Sequence, residues 1–194
     1  MRAVVLPLCI LSFAPAATVG QSAIPAAELQ VRAATEALPQ EFRETARVLG
    51  YRSTDRGLTE LRAGAGPYIC LADDPAEARF HVACYHESLE PFMARGRALR
   101  AAKVTNVDSA RYAEIDAGKL EMPRQPAALY SLTADAGAPD PATGVVAGTR
   151  PLYVVYIAYA TAASTGLPVT AQPNAPWLML PGTPKAHIMF IPRM

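Results

Sequence analysis

"PYICLADDPAEARFHVACYHESLEPF", residues 67–92, is the stretch from which the fold is read. "PYICLAD" and "ARFHVACYH" are short runs of β-forming side chains, and "DDPAE" between them supplies the Asp and Pro of a turn. Folded back as an antiparallel hairpin, the two runs set Cys70 against Cys84, within the Cα spacing of about 5.5–6 Å that a disulfide requires. Closing a loop of about 15 residues is worth roughly 3 kcal/mol in the chain-entropy model. Beyond the second run, Ser88 suits an N-cap and Pro91 is tolerated in a first helical turn, where its missing N–H has no partner to lose. A helix from about Leu89 to Ala101 follows, with Leu89, Phe92, Met93, Gly96 and Leu99 as its buried stripe. Glu87 and Glu90 at its start and Arg100 and Lys103 at its end suit the macrodipole.

Upstream, "AAELQVRAATEALPQEFRETARVLGY" has helical spacing, and Pro39 is expected to open a second helix that Gly50 ends. "LTELRAGAG" then reads as a strand joined at "AGAG" to the hairpin, giving a three-stranded meander. Downstream, "SARYAEIDA" reads as a short helix capped by Asp108 and stopped by Gly118. "AALYSLT", "PLYVVYIAYAT", "PWLML" and "HIMFIP" read as strands separated by turn-rich segments, with "PGTPKA" as a hairpin connection between the last two. Both alternating faces of "LYVVYIAY" are apolar, so that strand is expected to be central and covered on both sides. The expected architecture is α+β: an antiparallel or mixed sheet with helices packed on it, in a single domain.

The chain opens "MRAVVLPLCILSFAPAATVGQSA", the pattern of a secretory signal peptide, with Arg2 ahead of an apolar run and small residues after it. The run is shorter than the roughly 20 residues that span a bilayer. Cleavage after Ala16, Gly20 or Ser22 is compatible with the pattern; residues 1–22 are taken as the leader and 23–194 as the domain. Cys9 leaves with the leader. The remaining length, about 172 residues, suits one domain with its own core. Lys and Arg number 18 against 17 Asp and Glu, without blocks, so nothing points to nucleic acid or to an anionic membrane as partner. Eighteen prolines indicate a loop-rich protein, and arginine outnumbers lysine fifteen to three, a bias that sits with a bacterial exported protein. An oxidising compartment favours bridging Cys70 to Cys84.

Chemistry-bearing residues are few. "HESLE" falls short of H-E-x-x-H because Glu90 stands where the second histidine is needed. On a strand, His81 and His86 point to opposite faces. A metal site therefore needs His86 with distant His187 and either Glu87 or Glu90, a set that zinc or copper accepts. The competing expectation is structural: His86 caps the following helix and His187 bonds within the sheet. A Cys-His nucleophile conflicts with the disulfide. No nucleophile elbow, P-loop or dinucleotide fingerprint is present. Candidate ligand contacts are His81, Tyr85 and Arg95, the last from the cluster Arg95, Arg97, Arg100 and Lys103, itself expected to be a solvated helix face. Tyr153, Tyr156 and Tyr159 with Trp177 are candidates for an aromatic pocket, but Tyr156 points away from Tyr153 on a strand, and core packing accounts for them better.

"CLADDP", "FHVACYHESLEPFMARGRALR", "LYVVYIAYAT" and "PWLMLPGTPKAHIMFIP" together resemble a family of uncharacterised exported bacterial proteins. The resemblance runs from about Leu58 to the end of the chain. It implies a bacterial source and an exported location, and brings no catalytic residue or substrate with it. The expectation is thus a periplasmic or secreted, non-catalytic module with no cofactor, binding a small molecule or an envelope component and not inserted in the membrane once the leader is removed. A metal-binding protein or metal-dependent enzyme using His86 and His187 is the alternative, and an assembly subunit lending an edge strand is a third class.

Overall fold

The computed structural model describes residues 24–53 and 57–192; the leader, its cleavage positions and Cys9 lie outside them. The elements run α1 (Ala27–Thr35), α2 (Gln40–Arg43), β1 (Arg47–Gly50), β2 (Thr59–Arg62), β3 (Tyr68–Leu71), β4 (Phe80–His86), α3 (Glu90–Ala101), α4 (Val107–Asp116), β5 (Ala127–Ala134), β6 (Arg150–Tyr156), α5 (Ala162–Thr165), β7 (Trp177–Met179) and β8 (His187–Phe190). One mixed sheet of eight strands has the order β2-β1-β3-β4-β5-β6-β8-β7. β1 and β3 are parallel, and every other neighbouring pair is antiparallel. The α+β expectation holds.

The β3–β4 hairpin pairs Cys70 with Cys84 directly, with a Cα–Cα distance of 4.0 Å and the disulfide formed. Both cysteines are fully buried beneath α1, whose Ala34 carbonyl lies 3.2 Å from Cys84 Sγ. Around them Ala33, Leu38, Val48, Phe80 and Val82 complete the core of the first sheet face. On the second face Leu49, Ile69, Tyr85, Leu89, Val154 and Tyr156 form a separate core under α3. A smaller cluster of Ala160, Leu178 and Ala186 closes the β7–β8 end.

The region before the hairpin differs from its sequence reading. Past Pro39 only one turn of helix forms, and Gly50 ends strand β1 instead of a helix. β1 then separates β2 from β3, so the expected meander is absent. "AGAG" is not a hairpin turn but the crossing by which the chain leaves β2, passes the start of β1 and enters β3 on its other side. The passage is close: a Cβ on Gly64 would sit 2.2 Å from the Arg47 backbone nitrogen, so only glycine fits. The Gly66 amide donates to the Thr45 carbonyl at 2.9 Å and ties the crossing down.

The helix after β4 is close to expectation, with its cap shifted. Glu87–Leu89 form a 3-10 turn that leads into α3, and Pro91 lies in the first turn of α3. Ser88 sits inside that turn, and the capping acceptor is His86, whose Nδ1 receives the Ser88 amide at 3.2 Å. Leu89, Phe92, Gly96 and Leu99 are buried as the stripe requires. Gly96 is the contact point of α4: the Arg111 guanidinium lies there, 3.7 Å above the Phe92 ring centre, donating to the Phe92 carbonyl and paired with Asp108. Asp108 therefore serves Arg111 and Lys185 from the first turn of α4, and Asn106 holds the cap position.

β5, β6, β7 and β8 form where strands were read, and β7 and β8 pair antiparallel across the "PGTPKA" connection. β6 is interior to the sheet but not covered on both sides, since Tyr153 is 40% exposed. Tyr153 belongs to an aromatic row, Tyr68, Tyr130, Tyr153 and Phe190, that crosses the first face with neighbouring ring centres 5.5–6.5 Å apart. Tyr156 is buried on the opposite face, and Tyr159 lies beyond the strand and is exposed, so these tyrosines make no common pocket with Trp177.

Candidate functional site: a charged cleft on the second face

The two histidines required by the metal reading are not brought together. His86 ends β4 on the first face, edge-on to Tyr68 at 6.0 Å. His187 opens β8 on the second face, its ring centre 5.1 Å from that of Tyr156 and tilted to it by 31°. Three strand spacings, about 14 Å, and the sheet itself separate them. Their ring nitrogens are used locally. His86 Nδ1 meets Ser88 Oγ at 2.8 Å, and His187 Nδ1 meets the Lys185 carbonyl at 2.7 Å. Burial pushes the His187 pKa below its ordinary value, although the bond to the Lys185 carbonyl opposes the shift.

Glu87 is exposed, and Glu90 is engaged elsewhere. The Tyr85 hydroxyl donates to Glu90 Oε2 at 2.5 Å, Arg97 Nη2 donates to Glu90 Oε1 at 2.7 Å, and Arg97 Nη1 donates to the Tyr85 oxygen at 2.8 Å. This closed ring of bonds buries the polar end of Tyr85, whose pKa is raised by burial and by Glu90. Among the described residues no group of three or more His, Cys, Asp or Glu side chains is placed to hold a metal ion.

Of the three candidate ligand contacts, Arg95 is committed to Glu114 of α4 at 2.5 Å and Tyr85 to the ring just described. His81 does face a concavity. Because residues alternate along β4, His81 and Ala83 share the second face with Tyr85, and His81 pairs with Thr133 of β5. His81, Ala83 and Thr133, with Leu71 and Leu58, form the floor of an open cleft of about 570 Å³. The β3–β4 turn contributes Asp73, Asp74, Glu77 and Arg79, α3 contributes Arg97 and Arg100, and Tyr51 stands at one end.

The electrostatics of the cleft follow from crowding and poor hydration. Asp73 has its pKa pushed up to about 6, chiefly by desolvation and further by the charges of Asp74 and Glu77, against the opposing effect of the His81 amide, which donates to Asp73 Oδ1 at 2.8 Å. Tyr51 is raised to about 12 by burial and then by the charge of Asp74. His81 is solvent-accessible yet set in the concavity; loss of hydration and then the Arg79 charge lower its pKa. Among the described residues none of Asp73, Asp74 and Glu77 forms an ion pair with Arg97 or Arg100, although all five line the same cleft. Arg97 is instead paired with Glu90 from outside the cleft, and among the described residues Arg100 forms no ion pair.

The position of Tyr51 rests on Gln30 of α1. The buried Gln30 side chain donates to the Tyr51 carbonyl at 2.8 Å and accepts the Tyr51 amide at 2.9 Å, a strand-like pairing made by a side chain where β1 has ended. A second cleft, of about 480 Å³, lies between the segment after α4 and the end of β6, lined by Leu120, Met122, Arg124, Ile157 and Tyr159 among others.

Apart from His81, the residues of the main cleft were not singled out by their sequence. "DDPAE" reads as a turn whatever lies above it, and Arg97 and Arg100 read as one solvated helix face. A visible signal was the density of carboxylates in so short a turn; that α3 returns over it is a tertiary fact. A scan against protein-family models and searches of curated proteins and of solved structures each give no match to this chain.

Proposed function

We propose that this protein is an exported, non-catalytic binding module that receives a small molecule in the cleft between the β3–β4 turn and α3. One observation carries the reading: charges of both signs line a cleft of about 570 Å³ and, among the described residues, form no ion pair across it. That volume lies within the roughly 300–1,000 Å³ common for ligand sites, and an apolar floor with a few convergent polar groups is their usual composition. Export is supported by the leader-like N-terminus and by a disulfide suited to an oxidising compartment. The resemblance to exported bacterial proteins points the same way. Among the described residues the hydroxyl that meets a histidine, Ser88 on His86 Nδ1 at 2.8 Å, belongs to the cap ahead of α3 and does not line the cleft.

The test is to titrate isotope-labelled mature protein with a library of small polar molecules and to follow backbone amide resonances. Binding in the cleft shifts the amides of His81, Ala83, Thr133 and Arg97, and Arg100→Glu weakens it. Shifts confined to the second cleft around Leu120 and Tyr159, or no shift with any member at millimolar concentration, would overturn the proposal.

A further inference from the structure

We infer that the ligand of this cleft is a zwitterion, a free amino acid or short peptide, with its ammonium group on the β3–β4 turn and its carboxylate on α3. The inference rests on the cleft being the binding site and adds the chemical class. The turn side carries Asp73, Asp74 and Glu77 against the single cation Arg79, a net negative charge, and the helix side carries Arg97 and Arg100. A ligand with a single charge of either sign leaves one side unsatisfied, and an apolar ligand leaves both. A dipolar ligand of zero net charge answers both at once. Between the two sides the floor presents Leu58, Leu71 and Ala83, which suits an aliphatic side chain.

The anion side is preorganised. Arg97 is held by Tyr85 and Glu90 through two of its five N–H donors, so its fork is fixed while donors remain for a carboxylate. Because Glu90 already balances the Arg97 charge, the net attraction on that side comes from Arg100. On the other side Asp73 is crowded by Asp74 and Glu77, and an arriving ammonium group relieves that repulsion.

The experiment is calorimetric titration of the mature protein with leucine, alanyl-leucine and a leucine-ended tripeptide, followed by two capped forms of the tightest binder, the N-acetyl compound and the C-terminal amide. Each cap is expected to weaken binding at least about tenfold, the equivalent of one lost charge-assisted contact. Arg100→Gln should make the free and amidated forms bind alike, while Glu77→Gln with Asp74→Asn should do the same for the free and acetylated forms. Both sets lie at the surface, and a circular dichroism melt checks their folding. Capped forms that bind within about twofold of the free compound, or one that binds more tightly, would overturn the zwitterion assignment. If none of these compounds binds while other library members shift the cleft amides, the ligand class is wrong and the cleft reading stands. If nothing shifts those amides, both fall.

Discussion

Removing the Cys70–Cys84 bridge is the sharpest test of the fold as described. The bridge joins residues 14 apart, and in the chain-entropy model such a closure contributes about 3 kcal/mol. Both sulfurs lie in the fully buried core beneath α1, so the double substitution Cys70→Ala, Cys84→Ala also loses packing worth about 1–2 kcal/mol. The expected total is about 4–5 kcal/mol. For a chain of this size that corresponds to a fall in Tm of roughly 8–20 °C. With a urea m-value of about 2 kcal/mol/M, the midpoint falls by roughly 2 M. Urea unfolding followed by circular dichroism, with oxidised protein and the double variant side by side, measures the shift. Burial adds a kinetic expectation. A thiol reductant reaches the bridge only when α1 lifts from the sheet, so reduction of the native protein should be far slower than in denaturant. A midpoint shift under about 0.5 M, or equal reduction rates in the two states, would refute the reasoning.

Three further predictions concern the groups around the cleft. The Asp73 pKa, raised from 3.8 to about 6, means that the folded state binds more protons than the unfolded one between those values. The stability this confers is therefore full below about pH 4 and lost as pH rises through about 6. Asp73→Asn should raise the urea midpoint at about pH 8 and leave it unchanged at about pH 4, and an equal gain at both would disprove the shift. Tyr85→Phe removes the hydroxyl that joins Glu90 to Arg97 and should cost about 1–3 kcal/mol; a chemical-unfolding curve matching the parent's would show that the ring of bonds is not formed. Gln30→Ala strands the buried amide and carbonyl of Tyr51 and should cost about 2–4 kcal/mol, with faster hydrogen exchange at the Tyr51 amide as the residue-specific readout.

How much was legible in the sequence varies with the range of the interaction. The α+β class, the hairpin, its disulfide register and the buried stripe of α3 all depend on contacts between residues near in sequence, where strand and helix periods set which side chains meet. The same local logic placed His86 at a helix start as a capping group. What failed needed a partner from elsewhere. β1 was read as the end of a helix because Arg47–Gly50 is too short to show a strand period, and it becomes a strand by pairing with β2 and β3 on either side. "AGAG" is glycine-rich for a turn and for a backbone crossing alike, and only the approach to Arg47 tells them apart.

The candidate site divides in the same way. That His81 faces away from His86 follows from the two-residue period of a strand and was visible in the sequence. Four further facts were fixed by tertiary structure alone: His187 lies on the far face, Glu90 is consumed by Tyr85 and Arg97, Arg95 by Glu114, and the carboxylates of the β3–β4 turn border a cleft beneath Arg100. The physical reason is that a charged side chain is equally well solvated on any exposed turn or helix face. Whether it ends as a neutral pair, a capping group or an unneutralised wall depends on which element the chain folds over it.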